Sequence, residues 1–244
     1  MLADKPDNVQ SGRLNADVHL PSSSKLAALD FIATELPRWR DRPDRPSAQA
    51  ETILTEYLCG HLNEAAYLSS EWDHLQFQTE TGDETFSGRK IDLAVKPRTG
   101  SIVIEGRLHT VFDALFPIEC KRLPTPGGTG RDEGEYVFSR HTSTGGIQRF
   151  KAGLHGGSHD VAGMIGFVQE ESCDFWAARV TQWINELVTS GQKGWSMDDL
   201  LSVVRNDNGS GTAVLSSSHV REGISSSIAL RHLWIRVSGR ENQK

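Results

Sequence analysis

At 244 residues, with 37% hydrophobic and 24% charged side chains, the chain can bury a core without disulfides or a structural metal, and it is neither a disordered nor a fibrous composition. A net charge of −6 argues against nonspecific coating of nucleic acid, while leaving room for a local basic cleft. No apolar run nears the length of a membrane span, the N-terminus lacks the basic-then-apolar order of a signal peptide, and Cys59, Cys120 and Cys173 are scattered; these features predict a cytoplasmic protein with reduced thiols and no membrane partner.

In chain order, residues 1–22 are polar and aperiodic and read as a flexible N-terminal tail, leaving 23–244 as a single domain. Apolar residues at helical spacing predict a helix over 24–36, ended by a loop that Pro37, Pro43 and Pro46 break. A second helix is expected from Ser47, as its cap, to about Ala66, with the stripe Ile53, Leu54, Tyr57, Leu58 and Leu62. Strands are expected at 74–80, 90–95, 101–106 and 116–123, then a Gly-rich loop from Thr125, a helix within 145–156, a buried strand at 161–168 and an amphipathic helix at 174–190. Two strands, 212–220 and 227–237, close the chain as a C-terminal β extension. This order predicts an α/β fold with one central mixed β-sheet flanked by helices.

The chemistry concentrates on two strands. In 90–95, Ile91, Leu93 and Val95 share one face and Asp92 the other; in 116–123, Glu119 and Lys121 share the face opposite Phe116, Ile118 and Cys120. Antiparallel pairing would place Asp92 beside the Glu119/Lys121 pair. Two carboxylates and the main-chain carbonyl of Cys120 are ligands that a hard divalent cation prefers. Lys121 is placed to orient water or meet growing negative charge.

Lys90-Ile91-Asp92 followed by Pro117-Ile118-Glu119-Cys120-Lys121 resembles the signature of the PD-(D/E)XK, or restriction-endonuclease-like, nuclease superfamily, over roughly residues 47–170. Ile91 stands where the signature has proline, and Pro117 lies inside the motif strand, where it removes a ladder donor. Many members carry a glutamate on the first core helix. Of Glu51 and Glu56, the helical wheel puts Glu51 at the edge of the apolar stripe and Glu56 opposite it, so Glu51 is the candidate. Gln148 corresponds to a glutamine that some members carry after the Glu-x-Lys strand.

The resemblance implies a Mg²⁺-dependent endodeoxyribonuclease, with Mn²⁺ as a substitute, in which Glu51, Asp92, Glu119, Lys121 and Gln148 are catalytic and Asp92, Glu119 and Cys120 hold the metal. It associates such chains with bacterial restriction or anti-phage defence. DNA is the expected substrate, and RNA stays open as an alternative. A protein partner or activator, or a homodimer, is compatible with it. The alternative from another class is a catalytically inactive nuclease-fold subunit that binds nucleic acid or a partner protein. Weaker features are the TPGGTG loop as a phosphate loop against a flexible link, His141 with Arg140 and Arg149 as phosphate contacts against solvated surface, His155 and His159 as metal ligands, which the glycines between them disfavour, and His219, Arg221 and His232 as a substrate or partner patch against ordinary polar positions on strands.

Overall fold

The computed structural model describes residues 18–20, 24–45, 47, 49–83, 88–104, 106–127, 132–140, 145–221 and 226–237. The expectations for residues 1–17 and 21–22, for the second half of the TPGGTG loop (128–130) and for His141 lie outside this range. Its elements, in order, are β1 (Val18–Leu20), α1 (Ser24–Asp41), α2 (Glu51–Leu68), β2 (Leu75–Gly82), β3 (Lys90–Pro97), β4 (Ser101–Ile104), β5 (Arg107–Thr110), β6 (Phe116–Leu123), α3 (Gly146–Lys151), β7 (Val161–Val168), α4 (Cys173–Thr189), β8 (Ser202–Asp207), β9 (Thr212–Val220) and β10 (Ser227–Arg236).

The protein is α/β, and among the described residues seven strands form a central mixed sheet in the order β2-β3-β6-β7-β10-β9-β8. β6 lies antiparallel to β3 and parallel to β7, and β7 is parallel to β10, so the middle of the sheet is parallel and both ends are antiparallel. Buried strands must shed apolar surface on both faces, and they do so by the period of two. Ile118, Cys120, Ile165, Phe167, Leu233 and Ile235 pack with α1 and α2, while Leu123, Ala162, Met164, Leu230 and Trp234 pack with α3 and α4. The result is a sheet sandwiched between two helical layers.

Several elements depart from the sequence reading. Not all strands join one sheet, because β4 pairs with β1 and β5 in a separate three-stranded sheet. Val18–Leu20, expected within the tail, is therefore a strand. The first helix continues through Pro37 to Asp41. Proline inside a helix costs roughly 3 kcal/mol, and the last turn recovers it through Trp39, which is fully buried, packs on Phe167 at 5.7 Å and is covered by the Arg45 guanidinium. The second helix starts at Glu51, with Ala50 at its N-cap and no side-chain cap, so Ser47 does not cap it. Leu54, Leu58 and Leu62 form its buried stripe, each contributing about 2 kcal/mol, whereas Ile53 and Tyr57 are exposed. The helix expected within 145–156 stops after six residues, where Gly153 and Gly156 take left-handed backbone. α4 instead follows its pattern: Ser172 caps it by accepting from the Phe175 N–H, and Trp176, Val180, Ile184 and Leu187 face the core. No described helix is long and apolar enough to cross a membrane.

Candidate active site

The site arises where two paired strands part. β3 and β6 pair at Val95–Phe116, Ala94–Pro117 and Leu93–Ile118, and there the ladder ends. β6 runs on beside β7 from Ile118 to Leu123, so its other edge is left with free backbone groups. Buried N–H groups need partners, and carboxylates supply them. The Cys120 N–H donates to Asp92 Oδ2 at 2.8 Å, and the Arg122 N–H donates to Glu51 Oε2 at 3.0 Å. One carboxylate comes from β3 and the other from the first turn of α2. A strand residue points its N–H and C=O to the same edge, so the Cys120 carbonyl faces the same gap.

Glu119 and Lys121 project from β6 on the face that α3 covers. Glu119 is fully buried. Its Oε1 lies 2.8 Å from Lys121 Nζ and accepts from Arg149 Nη1 at 2.6 Å, and its Oε2 lies 3.1 Å from His155 Nδ1. Lys121, itself buried, also stands 3.6 Å from Glu51 Oε1. The lysine thereby bridges the carboxylate behind the sheet and the one at its edge. Outside it, Glu51, Thr52, Thr55, Glu56, Thr79, Glu80 and Asp92 line a cavity of about 420 Å³. A larger groove of about 950 Å³ along α4 gathers Glu133, Arg179 and Gln182 among others, already engaged with one another.

Burial and neighbouring charge set the protonation of these groups. Asp92 is pushed up to about 7, first by burial and then by the negative charge of Glu119, with Lys121 and the Cys120 N–H only partly offsetting them. Burial would raise Glu119 as well, but Lys121, His155 and Arg149 hold it well below the usual carboxylate range. Burial would lower Lys121; Glu119, Glu51 and Asp92 outweigh it and keep the ammonium charged. The Cys120 thiol is raised by burial and sits in the core, so Cys120 offers its carbonyl and not a thiolate.

Glu51, Asp92, Glu119, Lys121 and the Cys120 backbone are thus one cluster, with Glu51 directly against Lys121 and Glu56 exposed at the cavity rim. Gln148 is placed differently. Its carboxamide oxygen accepts from the N–H groups of Ser139 and Gly145, fastening the loop before α3. The neighbouring Arg149 reaches Glu119 instead. The sequence offers Arg149 as a phosphate contact and His155 as a metal ligand, but does not reveal that both converge on Glu119. The available signal was the position of Arg149 on the helix that follows the Glu-x-Lys strand.

Among the described residues, no group of three or more His, Cys, Asp and Glu side chains is arranged to hold a metal ion. The donor chemistry nevertheless suits Mg²⁺, which takes one or two carboxylates and fills its remaining positions with water and phosphate. Asp92 faces the cavity with one oxygen bound to the Cys120 N–H, and the burial and Glu119 charge that raise its pKa are what a bound cation would offset. Glu119 fits less readily, since both its oxygens are engaged. Comparisons with protein-family models, curated proteins and solved structures give no match.

Proposed function

We propose that the protein is a metal-dependent nuclease that hydrolyses phosphodiester bonds of DNA. The observation that carries this reading is the parted β3/β6 edge, where Asp92, Glu51 and the Cys120 carbonyl meet a lysine held by a buried glutamate. Asp92, the Cys120 carbonyl and, on giving up one present partner, Glu119 would hold Mg²⁺ or Mn²⁺. Such a cation supplies Lewis acidity toward phosphate and lowers the pKa of water. The chain's own residues do the rest. Lys121 keeps its proton and presents donors toward the cavity side, where it orients a water or meets charge growing on a phosphate oxygen. Arg149 and His155 hold Glu119 ionised beneath it. Glu51 fixes the backbone of β6 through the Arg122 N–H and flanks Lys121 from the opposite side. A setting in restriction or anti-phage defence comes from the motif's resemblance alone.

Incubating plasmid and single-stranded DNA with the protein, with Mg²⁺ or Mn²⁺ and with or without chelator, tests the proposal. Cleavage that the chelator stops is expected. Cleavage lost in Asp92→Asn ties the activity to this site and not to a contaminant. A second reading, a catalytically inactive subunit that binds nucleic acid or a partner protein, is favoured by the three donors that already occupy Glu119. Binding of DNA without cleavage under every metal condition would select it.

A further inference from the structure

A second cluster of titratable groups lies in the layer of α3 and α4, between β9, β10 and the segment after α4. His219 and His232 are completely buried, and Asp199 and Ser217 nearly so. Polar side chains in such a place cost several kcal/mol unless each finds a partner, and each does. Asp199 Oδ1 lies 2.6 Å from His219 Nδ1, His219 Nε2 lies 2.7 Å from Ser217 Oγ, and Ser217 Oγ lies 2.8 Å from His232 Nε2. His232 Nδ1 lies 2.8 Å from the Tyr136 hydroxyl, which accepts from Trp234 Nε1 at 2.8 Å.

The donors and acceptors fix one direction for the whole chain. Asp199 is ionised and only accepts, so His219 carries its proton on Nδ1 and accepts at Nε2. Ser217 then donates to His219 and accepts from His232, whose proton sits on Nε2. Tyr136 donates to His232 Nδ1 and accepts from Trp234, a group that can only donate. Both histidines are neutral; burial lowers each, and His232 falls to about 3.

The acidic end of this relay grips α3. Lys151 Nζ pairs with Asp199 Oδ1, and its ammonium lies 5.0 Å from the centre of the Trp195 ring. Asp199 is itself held by the Ser196 N–H at 2.8 Å. α3 has only six residues, far too few to hold a helix by its own hydrogen bonds, so its packing places it: Ile147 and Phe150 are fully buried in the core, and Lys151 ties down its C-terminal end. Two residues before Lys151, on the same helix, Arg149 reaches back to Glu119.

We infer that Asp199 is a positioning residue for the Glu119 site: by holding Lys151 at the end of α3 it fixes the reach of Arg149 to the buried glutamate. The effect on cleavage rests on the nuclease reading, while the placement of Arg149 does not. Asp199→Asn in the full chain tests it, because the amide keeps an acceptor for His219 and loses the charge that holds Lys151. In ¹⁵N NMR, the Arg149 guanidinium protons, protected from exchange in the parent, should lose that protection in the variant. His219 should remain the Nδ1–H tautomer and His232 the Nε2–H tautomer. The kcat for Mg²⁺-dependent cleavage should fall about tenfold with KM unchanged, as small misplacements of catalytic groups do. In an Arg149→Ala background the same substitution should cost nothing further, since both act through one contact. Unchanged Arg149 protection in the folded variant, or losses that multiply in the double variant, would reduce Asp199 to a stabilising residue and overturn the inference. Opposite tautomers in the parent would overturn the relay. A parent that never cleaves would sink the nuclease reading, and the Arg149 exchange measurement would then decide the positioning role alone. If Asp199→Asn does not fold, Lys151→Met, which keeps the packing on Trp195, gives the same NMR readout.

Discussion

Asp92→Asn offers the most quantitative test of the site. The Asp92 carboxyl rises from its ordinary 3.8 to about 7 in the folded protein, so the folded state holds a proton that the unfolded chain has already released. A raised acid contributes stability that is fully present below the unfolded pKa and is lost as pH rises through the folded one. The window therefore runs from about pH 4 to about pH 7. At about 1.4 kcal/mol per pH unit the whole window is worth about 4 kcal/mol, and the part between pH 5 and pH 8.5 on the order of 2–3 kcal/mol. Asparagine keeps an oxygen for the Cys120 N–H and cannot ionise, so its stability lacks this term. Urea unfolding of both proteins at pH 5 and pH 8.5 should show the variant gaining on the parent by that amount at the higher pH. Other titrating groups are common to both proteins and largely cancel. Mg²⁺ should raise the Tm of the parent at pH 8.5 and leave the variant unmoved. Parallel pH profiles for the two proteins would refute the argument that burial and Glu119 load this carboxylate.

Three further outcomes are expected. Lys121→Ala should lower the cleavage rate by on the order of 10²–10³; because Lys121 partners the fully buried Glu119, denaturant unfolding should also show a loss of about 3 kcal/mol. Glu51→Ala should reduce cleavage well beyond Glu56→Ala, because Glu51 flanks Lys121 and holds the Arg122 N–H while Glu56 only borders the cavity; equal rates for the two variants would contradict this. Gly166→Ala should cost about 1–3 kcal/mol in urea unfolding, since its Cβ would stand 2.4 Å from Trp234 Cδ1 in a packed core, and a variant as stable as the parent would show that Trp234 yields easily.

Much of the site was legible in the sequence because strand geometry is local. A period of two places Glu119 and Lys121 on one face whatever surrounds them, and the apolar stripe of α2 orients Glu51 by the same kind of argument. On β3 the same rule works less well: Leu93 and Val95 join the core with α1 and α2, but Ile91 packs with Ala94 and Ala114 instead, and Asp92 lines the cavity beside α2. The order of helices and strands likewise gave the α/β class. Propensity failed where distant packing outweighed it, as at Pro37, where buried Trp39 keeps the helix intact.

What only the tertiary structure decided is which groups meet. The sequence by itself placed one acid on one strand and an acid with a lysine on another; it carried no sign that β3 and β6 pair and then part after Leu93–Ile118, leaving N–H groups for Asp92 and Glu51 to satisfy. Nor could it show that Arg149 and His155 close on Glu119, or that Gln148 turns away to cap its own helix. β8 joins the central sheet as a hairpin with β9, whereas the β4/β5 hairpin stands outside that sheet and takes β1, from far earlier in the chain, as its third strand. Period and propensity act over a few residues, whereas hydrogen-bond satisfaction in a buried place is settled among residues 28 to 71 positions apart, and only the folded chain brings those together.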